Sequence, residues 1–166
     1  MPRLTHYTKV AVLRDVREHS FTKADMDAVV VEFRKNGAAL LDPDGATMKS
    51  LAENIEKNLA KLTPNKTELG FTQTQNLGEF DVRPDVYSVM LFMTYVMEVQ
   101  GTPTTIPVLA TLTFLKLKNR LVYINTYRGI SSPEAVKTEL KPGVAELKQF
   151  TTKWVNEILA ANREAQ

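Results

Sequence analysis

The chain has 166 residues, a length that fits one folded domain with its own core, so we expect a single domain over 1–166. Apolar residues make up 43% of the chain and charged residues 24%, which is typical of a soluble globular protein. The 21 basic and 19 acidic side chains nearly cancel, so no overall charge attracts the protein to nucleic acid or to a membrane. Cysteine is absent, which excludes disulfides, thiol nucleophiles and cysteine–metal sites.

The N-terminal part of the chain predicts one strand and two helices. Residues 8–13 are expected to form the strand. The segment 23–35 is ambiguous, because Thr22 can cap a helix while three consecutive valines favour a strand. We predict a helix that ends at Asn36-Gly37 and keep the strand as the alternative. Residues 46–62 carry an apolar stripe at helical spacing before the stop at Pro64, and they predict the second helix.

The middle of the chain has the pattern of an antiparallel sheet. Five strands are predicted, in the order FTQTQN, GEFDVRPD, 86–99, 106–117 and LVYINTY. A turn-prone segment, QGTPTT, separates the third strand from the fourth, and a tight turn near Asn119-Arg120 joins the last two into a hairpin.

The strand 86–99, VYSVMLFMTYVMEV, is apolar at both its odd and its even positions. A strand with one face in water would alternate between apolar and polar residues. We therefore predict a central strand buried on both faces, with helices from the two ends of the chain covering one face each. The helix 46–62 and the C-terminal helix are expected on opposite or adjacent faces.

The C-terminal segment begins with a strong helix start. Ser132 is suited to the cap, Pro133 to the first helical position and Glu134 to the first turn. The sequence KPG at 141–143 is expected to interrupt this helix. A final helix is predicted to about Asn162, with one apolar face formed by Val144, Leu147, Phe150, Trp154, Ile158 and Ala161, and with Trp154 buried as its anchor.

These elements predict an α+β fold, an antiparallel sheet flanked by helices. In addition, the segments LTFLKLKNRLVYINTYRG, SPEAV and TTKWVNEILAAN resemble the hairpin-and-helix ending of bacterial exported proteins with a PsbP-like αβα sandwich. The resemblance covers the C-terminal third of the chain. It implies the sandwich fold, export and a role as a binding or accessory module, and it implies no catalytic residue.

A helix-grip, START-like fold is the alternative, because it also combines helices, a curved sheet and a long C-terminal helix. It would enclose a cavity between sheet and helix, and the protein would then carry a small apolar ligand. A flat sheet with helices on both faces distinguishes the sandwich from this alternative.

The expected compartment is inferred from three features that the sequence lacks: a transmembrane stretch, a signal-peptide core and cysteine. No stretch reaches the roughly 18 apolar residues of a transmembrane helix, and MPRLTHYTKV has no apolar signal-peptide core. The absence of cysteine suits an oxidising compartment. We expect a periplasmic or secreted protein whose leader is not part of this sequence, with the cytoplasm as the alternative.

Markers of catalysis are missing from the sequence. His6 and His19 have no metal-ligand spacing, and no nucleotide-binding or nucleophile motif occurs. The acidic residues Glu79, Asp81 and Asp85 are interpreted as a solvated turn. We therefore expect no enzymatic activity, no metal and no cofactor.

The 106–128 hairpin is the predicted functional surface, and the alternative is that its charged tip is simply solvated. It carries cations near its tip and tyrosines on the return strand, with no acid nearby in the sequence. We expect these residues to bind a small anionic or apolar ligand or an unknown protein, but not nucleic acid, and the protein to be a monomer or weak dimer. The candidate residues are Lys116, Lys118, Arg120, Tyr123, Tyr127 and Arg128.

Overall fold

The computed structural model describes residues 23–44, 46–61, 70–118 and 120–164. Some sequence predictions lie outside these residues and stay predictions. They are the strand at 8–13, the histidines His6 and His19, the Thr22 cap and the helix stop at Pro64.

Four antiparallel strands form one sheet, in which neighbours in the chain are also neighbours in space. Two residues separate each strand from the next, and these short connections fix the register of each pair. At the second turn Gln100 and Gly101 both have positive φ, 52° and 79°, as a type I′ hairpin turn requires. The strands are β1 (Gly70–Arg83), β2 (Val86–Val99), β3 (Thr102–Leu117) and β4 (Arg120–Gly129).

Two sequence predictions about the strands need correction. The turn expected over QGTPTT is shorter than predicted, so β3 begins at Thr102 rather than at 106. The segments FTQTQN and GEFDVRPD belong to one strand, β1, so the described sheet has four strands rather than five. The apparent break between them is Gly78, where the pairing with β2 shifts register. Its φ is +136°, and a Cβ there would lie 2.6 Å from the carbonyl oxygen of Ala39, so Gly78 is a bulge position approached by another backbone.

Helix α1 (Lys23–Lys35) covers part of one face of the sheet, which confirms the helix prediction for this segment. Phe33 contacts the rings of Tyr87 on β2 and Phe114 on β3, with centroids 5.9 and 5.7 Å away. The chain leaves the helix through Gly37, whose φ of +90° suits glycine at this C-terminal position.

Helices α2 (Ala46–Ala60) and α3 (Val136–Glu164) lie side by side on the opposite face. An ion pair of 2.7 Å between Lys137 of α3 and Glu56 of α2 joins them. The prediction that the helix 46–62 and the C-terminal helix lie on opposite or adjacent faces is therefore wrong. Helix α2 precedes the sheet in the chain, yet it packs on the same face as α3. No helix in the described ranges is long and apolar enough to span a bilayer.

The start of the C-terminal helical segment is confirmed, although its first turn is a 3₁₀ turn, Pro133–Ala135. The Ser132 side chain accepts a hydrogen bond from the backbone N–H of Ala135, at 3.3 Å. Directly after this turn α3 begins, so the cap predicted from sequence starts a helical run of more than thirty residues.

The predicted interruption at 141–143 is wrong, because α3 continues through Pro142. A proline inside a helix costs about 3 kcal/mol through its missing N–H and its ring. Leu140 and Val144, on either side of it, are almost completely buried. Their packing against the sheet offsets the cost of the proline and keeps the helix continuous.

Trp154 is partly exposed, so the prediction that it is the buried anchor of the last helix is wrong. The buried face of α3 instead passes through Leu147, Thr151 and Val155. Thr151 can hold this position because its hydroxyl lies 2.8 Å from that of Thr126 on β4. A search for apolar spacing does not count threonine as a buried residue. The face predicted from the sequence therefore runs through Phe150 and Trp154, beside the observed one.

Burial of β2 on both faces holds for its first half only. From Val86 to Met90 every residue is buried, whereas beyond Met90 only the face toward α2 and α3 stays buried. On the other face Leu91 is half-buried, and Met97 is 38% exposed. The reason is that α1 packs at the end of the sheet that holds Tyr87.

The architecture is α+β, as predicted, with an antiparallel sheet and described helices on both of its faces. Both-sided helix packing is the arrangement that the sequence analysis expected of a sandwich. The PsbP-like and START-like assignments themselves remain predictions.

Candidate functional site

The six predicted binding residues are divided between the two faces of the sheet. Tyr123 contacts Phe114 edge-to-face, at 4.9 Å between ring centroids, and so lies on the α1 face. Its neighbour Val122 packs with the residues under α3. Since successive residues of a strand point to opposite faces, Tyr127 shares the face of Tyr123, whereas Arg128 lies on the α3 face.

The cations near the hairpin tip are also separated from Arg128 along the strand. Lys118 has φ of +47° in the turn between β3 and β4. Arg120 begins β4, and Arg128 lies near its other end, roughly 26 Å away at about 3.3 Å per residue. Lys116 points to the α1 face with Phe114, while Arg120 points to the α3 face. The structure therefore does not bring the six residues into one site, and binding by them remains a prediction.

Burial raises the pKa of the Tyr127 phenol above its ordinary value. Tyr87 on β2 is fully buried, and burial together with its hydrogen bond to Glu79 raises the pKa of its phenol. Both phenols therefore stay neutral at physiological pH and act through hydrogen bonds and packing.

Arg128 occupies a slot between the sheet and α3. Its Nε–H donates a hydrogen bond of 2.9 Å to a carboxylate oxygen of Glu146. A Cβ added at Gly143 would lie 2.5 Å from Nη1 of Arg128 and 2.8 Å from a methyl carbon of Leu109. A side chain at position 143 would displace the ends of the Arg128 and Leu109 side chains, so the observed position of the guanidinium depends on glycine here.

An open cleft lies between α2 and β1, at the edge of the described sheet. It has a volume of about 770 Å³, within the range of roughly 300–1,000 Å³ that is usual for small-ligand sites. Phe92, which is 4% exposed, forms part of its floor. The other described lining residues are Asn54, Ile55, Lys57, Asn58, Leu59, Lys61, Thr74 and Gln75.

The local sequence explains how the cleft obtains its polar walls. Ile55 and Leu59 are buried against the core, which turns the intervening positions of α2 toward solvent. Lys57 and Lys61 are four positions apart and therefore lie on the same side of the chain as α2 ends. Both lysines lie off the apolar stripe of this helix, but only the structure shows that β1 faces them across the cleft.

A second groove runs between the start of α2 and the start of α3. Met48 and Leu140 form its apolar floor, and Lys49 and Lys141 stand at its rim. Lys141 pairs with Asp44 at 2.7 Å, so part of the positive charge is neutralised within the groove. This groove, of about 400 Å³, is therefore a weaker candidate for binding an anion than the cleft.

The acidic cluster interpreted as a solvated turn contains a buried carboxylate, so that interpretation is wrong for Glu79. Glu79 lies in β1, is 8% exposed, and accepts two hydrogen bonds from Arg34 of α1, at 3.1 and 2.8 Å. The Arg34 hydrogen bonds hold the pKa of Glu79 below its usual value. Asp81 pairs with Arg83 at 2.7 Å. The Arg34–Glu79 hydrogen bonds fasten α1 to the sheet and leave no free carboxylate for chemistry at Glu79.

Among the described residues, no group of three or more histidine, cysteine, aspartate or glutamate side chains is placed to hold a metal ion. No protein-family model, curated protein or solved structure matches this chain.

Proposed function

We propose that the protein is a non-enzymatic binding or accessory module, and that the cleft between α2 and β1 binds a small anionic ligand. The observation that carries the proposal is the pair Lys57 and Lys61 beside a cleft floored by Phe92. No carboxylate is among the described residues that line this cleft, so none of these residues neutralises the two ammonium groups.

The chemistry of the lining supports an anion with a polar body. Lysine ammonium groups act as point charges on flexible stems and adapt to carboxylate or phosphate groups. The amides of Asn54, Asn58 and Gln75 can both donate and accept hydrogen bonds around such a ligand. Phe92 supplies a rigid apolar surface for its carbon skeleton.

The alternative is a carrier of an apolar ligand in a cavity between the sheet and the long helix. The described space under α3 is filled instead, by Leu109, Leu115, Leu147 and Val155, which are almost completely buried. This packing favours the binding module over the carrier. A periplasmic or secreted location, with the cytoplasm as the alternative, and a monomer or weak dimer complete the proposal.

Thermal unfolding tests the proposal. The probes are sodium citrate and inorganic phosphate, each compared with sodium chloride at the same ionic strength. The cleft variant is Lys57→Gln with Lys61→Gln, and the matched control is Lys35→Gln with Lys153→Gln, which removes two exposed lysines of α1 and α3.

We expect a probe to raise the melting temperature of the parent and of the control, because a ligand that binds the folded state stabilises it by mass action. The cleft variant should lose this increase. Equal increases in all three proteins, or no increase in the parent with either probe, would contradict binding of small anions in the cleft.

A further inference from the structure

Arg128 is a largely buried cation with an unpartnered donor atom. Nη1 of Arg128 and the Thr105 hydroxyl are the buried side-chain polar atoms there without a hydrogen-bond partner. A guanidinium has five N–H donors, and in Arg128 the Nε–H is the one that reaches a described acceptor, in Glu146. The cation is thus largely withdrawn from water and only partly compensated.

The fold holds this guanidinium in place at a cost to α3. Glycine in a helix interior costs about 1 kcal/mol relative to alanine, and here it directly follows Pro142, another poor helix residue. The space left by Gly143 is filled by Nη1 and Cζ of Arg128. An arginine needed only for solubility would lie at the surface and would not require a glycine in the facing helix.

We propose that Arg128 is the receptor for an anionic group, a carboxylate or a phosphate, which binds at the position that Glu146 occupies. The Arg128 side chain is 17% exposed, whereas that of Glu146 is 61% exposed and can swing away into solvent. Glu146 accepts a single hydrogen bond, of 2.9 Å, from the Nε–H of Arg128, rather than two parallel hydrogen bonds. An external anion that engages two donors forms the stronger, bidentate arrangement.

Arg128 is distinct from the cleft over Phe92. Cross-strand pairing places Gln75, Phe92, Leu109 and Arg128 in one row across the four strands. Leu109 is fully buried under α3, and it separates Arg128 from the part of the row that faces the cleft. At about 4.8 Å per strand, the Cα atoms of Phe92 and Arg128 lie roughly 10 Å apart. The inference therefore goes beyond the proposed function and does not rest on it.

The test uses inorganic phosphate as the probe and the arginine Nε–H signals in proton–nitrogen NMR spectra as the readout. Arg128→Lys assigns the Arg128 signal by its disappearance. Glu146→Gln removes the resident carboxylate, and Glu157→Gln, which changes another exposed acid of α3, is the matched control. Sodium chloride at equal ionic strength corrects for screening.

We expect phosphate to shift the Arg128 signal in the parent and to bind Glu146→Gln about tenfold more tightly, the effect of one charged hydrogen bond gained. Glu157→Gln should match the parent, and the cleft variant should leave the Arg128 response unchanged. Gly143→Ala should weaken the response by displacing the guanidinium.

Equal affinity in Glu146→Gln and Glu157→Gln, or an unmoved Arg128 signal in both, would overturn the proposal. Apart from the assignment with Arg128→Lys, these readouts use the Glu146 and Glu157 variants, which change exposed side chains. The test therefore stands even where Gly143→Ala fails to fold. Loss of the response in the cleft variant alone would assign the phosphate to the cleft and would also overturn the separate role of Arg128.

Discussion

The hydroxyl of Tyr87 donates a hydrogen bond of 2.9 Å to Glu79, and both side chains are almost completely buried. Glu79 also receives Arg34 of α1, and its backbone exchanges hydrogen bonds with the segment that follows α1. The N–H of Glu79 donates to Ala39, and its carbonyl accepts from Leu41, at 2.7 and 2.8 Å. One residue of β1 thus joins a helix, a loop and a second strand.

This arrangement predicts a pH-dependent contribution of Glu79 to stability. Its pKa is lowered in the folded state, chiefly by the Arg34 hydrogen bonds, so the unfolded chain binds the proton first as the pH falls. The stabilisation is therefore present at neutral pH and disappears as the pH falls through the lowered pKa. Glu79→Gln should lower the free energy of unfolding by about 1–3 kcal/mol at neutral pH.

Urea denaturation at several pH values measures this difference. The difference between parent and Glu79→Gln should shrink in acid, while Glu98→Gln, at an exposed position of β2, should follow the parent throughout. A difference that stays constant from neutral to acidic pH would contradict the role given to the Glu79 charge.

The buried hydroxyls of Thr111, Thr126 and Thr151 predict strong non-additivity. They lie 2.5, 2.8 and 3.3 Å apart, so each can donate to one neighbour and accept from the other. Thr151→Val keeps the shape of the side chain but leaves the other two hydroxyls short of a partner, and should cost about 1–3 kcal/mol. The triple valine variant should be destabilised by much less than the sum of the single changes, because no unpaired hydroxyl remains. Additive losses in chemical denaturation would argue against a closed network.

Phe92 and Leu91, neighbours on β2, should differ in their contribution to stability. Phe92 is buried in the core toward α2 and α3, whereas Leu91 is half-buried beside the α1 cluster. Phe92→Ala should cost about 3–5 kcal/mol, and Leu91→Ala clearly less. Equal losses in chemical denaturation would show that the α1 face of β2 is covered as completely as the other one.

The partial exposure of Trp154 predicts an intermediate fluorescence response. It is the single tryptophan of the chain, and its ring lies 6.1 Å from that of Phe150, centroid to centroid. Acrylamide is the suitable quencher because, being neutral, it is not attracted by nearby lysines. The quenching constant of the native protein should lie between that of the unfolded chain and the near-zero value of a buried indole. Complete protection would contradict the placement of Trp154 at the edge of the buried face.

The elements of the fold were largely predictable, because apolar spacing and end signals act locally. Ser132 and Gly37 mark helix ends through their own backbone and side-chain chemistry, and both were placed correctly. Pro142 misled because the burial of its neighbours Leu140 and Val144 offsets its local cost. Gly78 misled because it is needed where the backbone of Ala39 approaches β1, not where a strand ends. Local propensity does not contain those contacts.

The sequence alone could have shown that the six predicted binding residues do not share one face of the sheet. Tyr127 and Arg128 are consecutive in a strand and must point to opposite faces, so a single site could not contain both. The close approach of Arg128 to Gly143 could not be predicted from the sequence, because it depends on how α3 crosses β4. The same holds for Lys57, since its position opposite β1 follows from the packing of Ile55 beneath it.

The position of α3 after all four strands affects how the protein is made. Each hairpin of the sheet pairs neighbours through a two-residue turn, and such local contacts form early and fast. On the ribosome, the face that carries Leu109, Leu115 and Ile124 stays bare until α3 has been synthesised. An uncovered apolar sheet is a site for association between nascent chains. In the interval between the emergence of β4 and the docking of α3, newly made chains are therefore exposed to aggregation through this face.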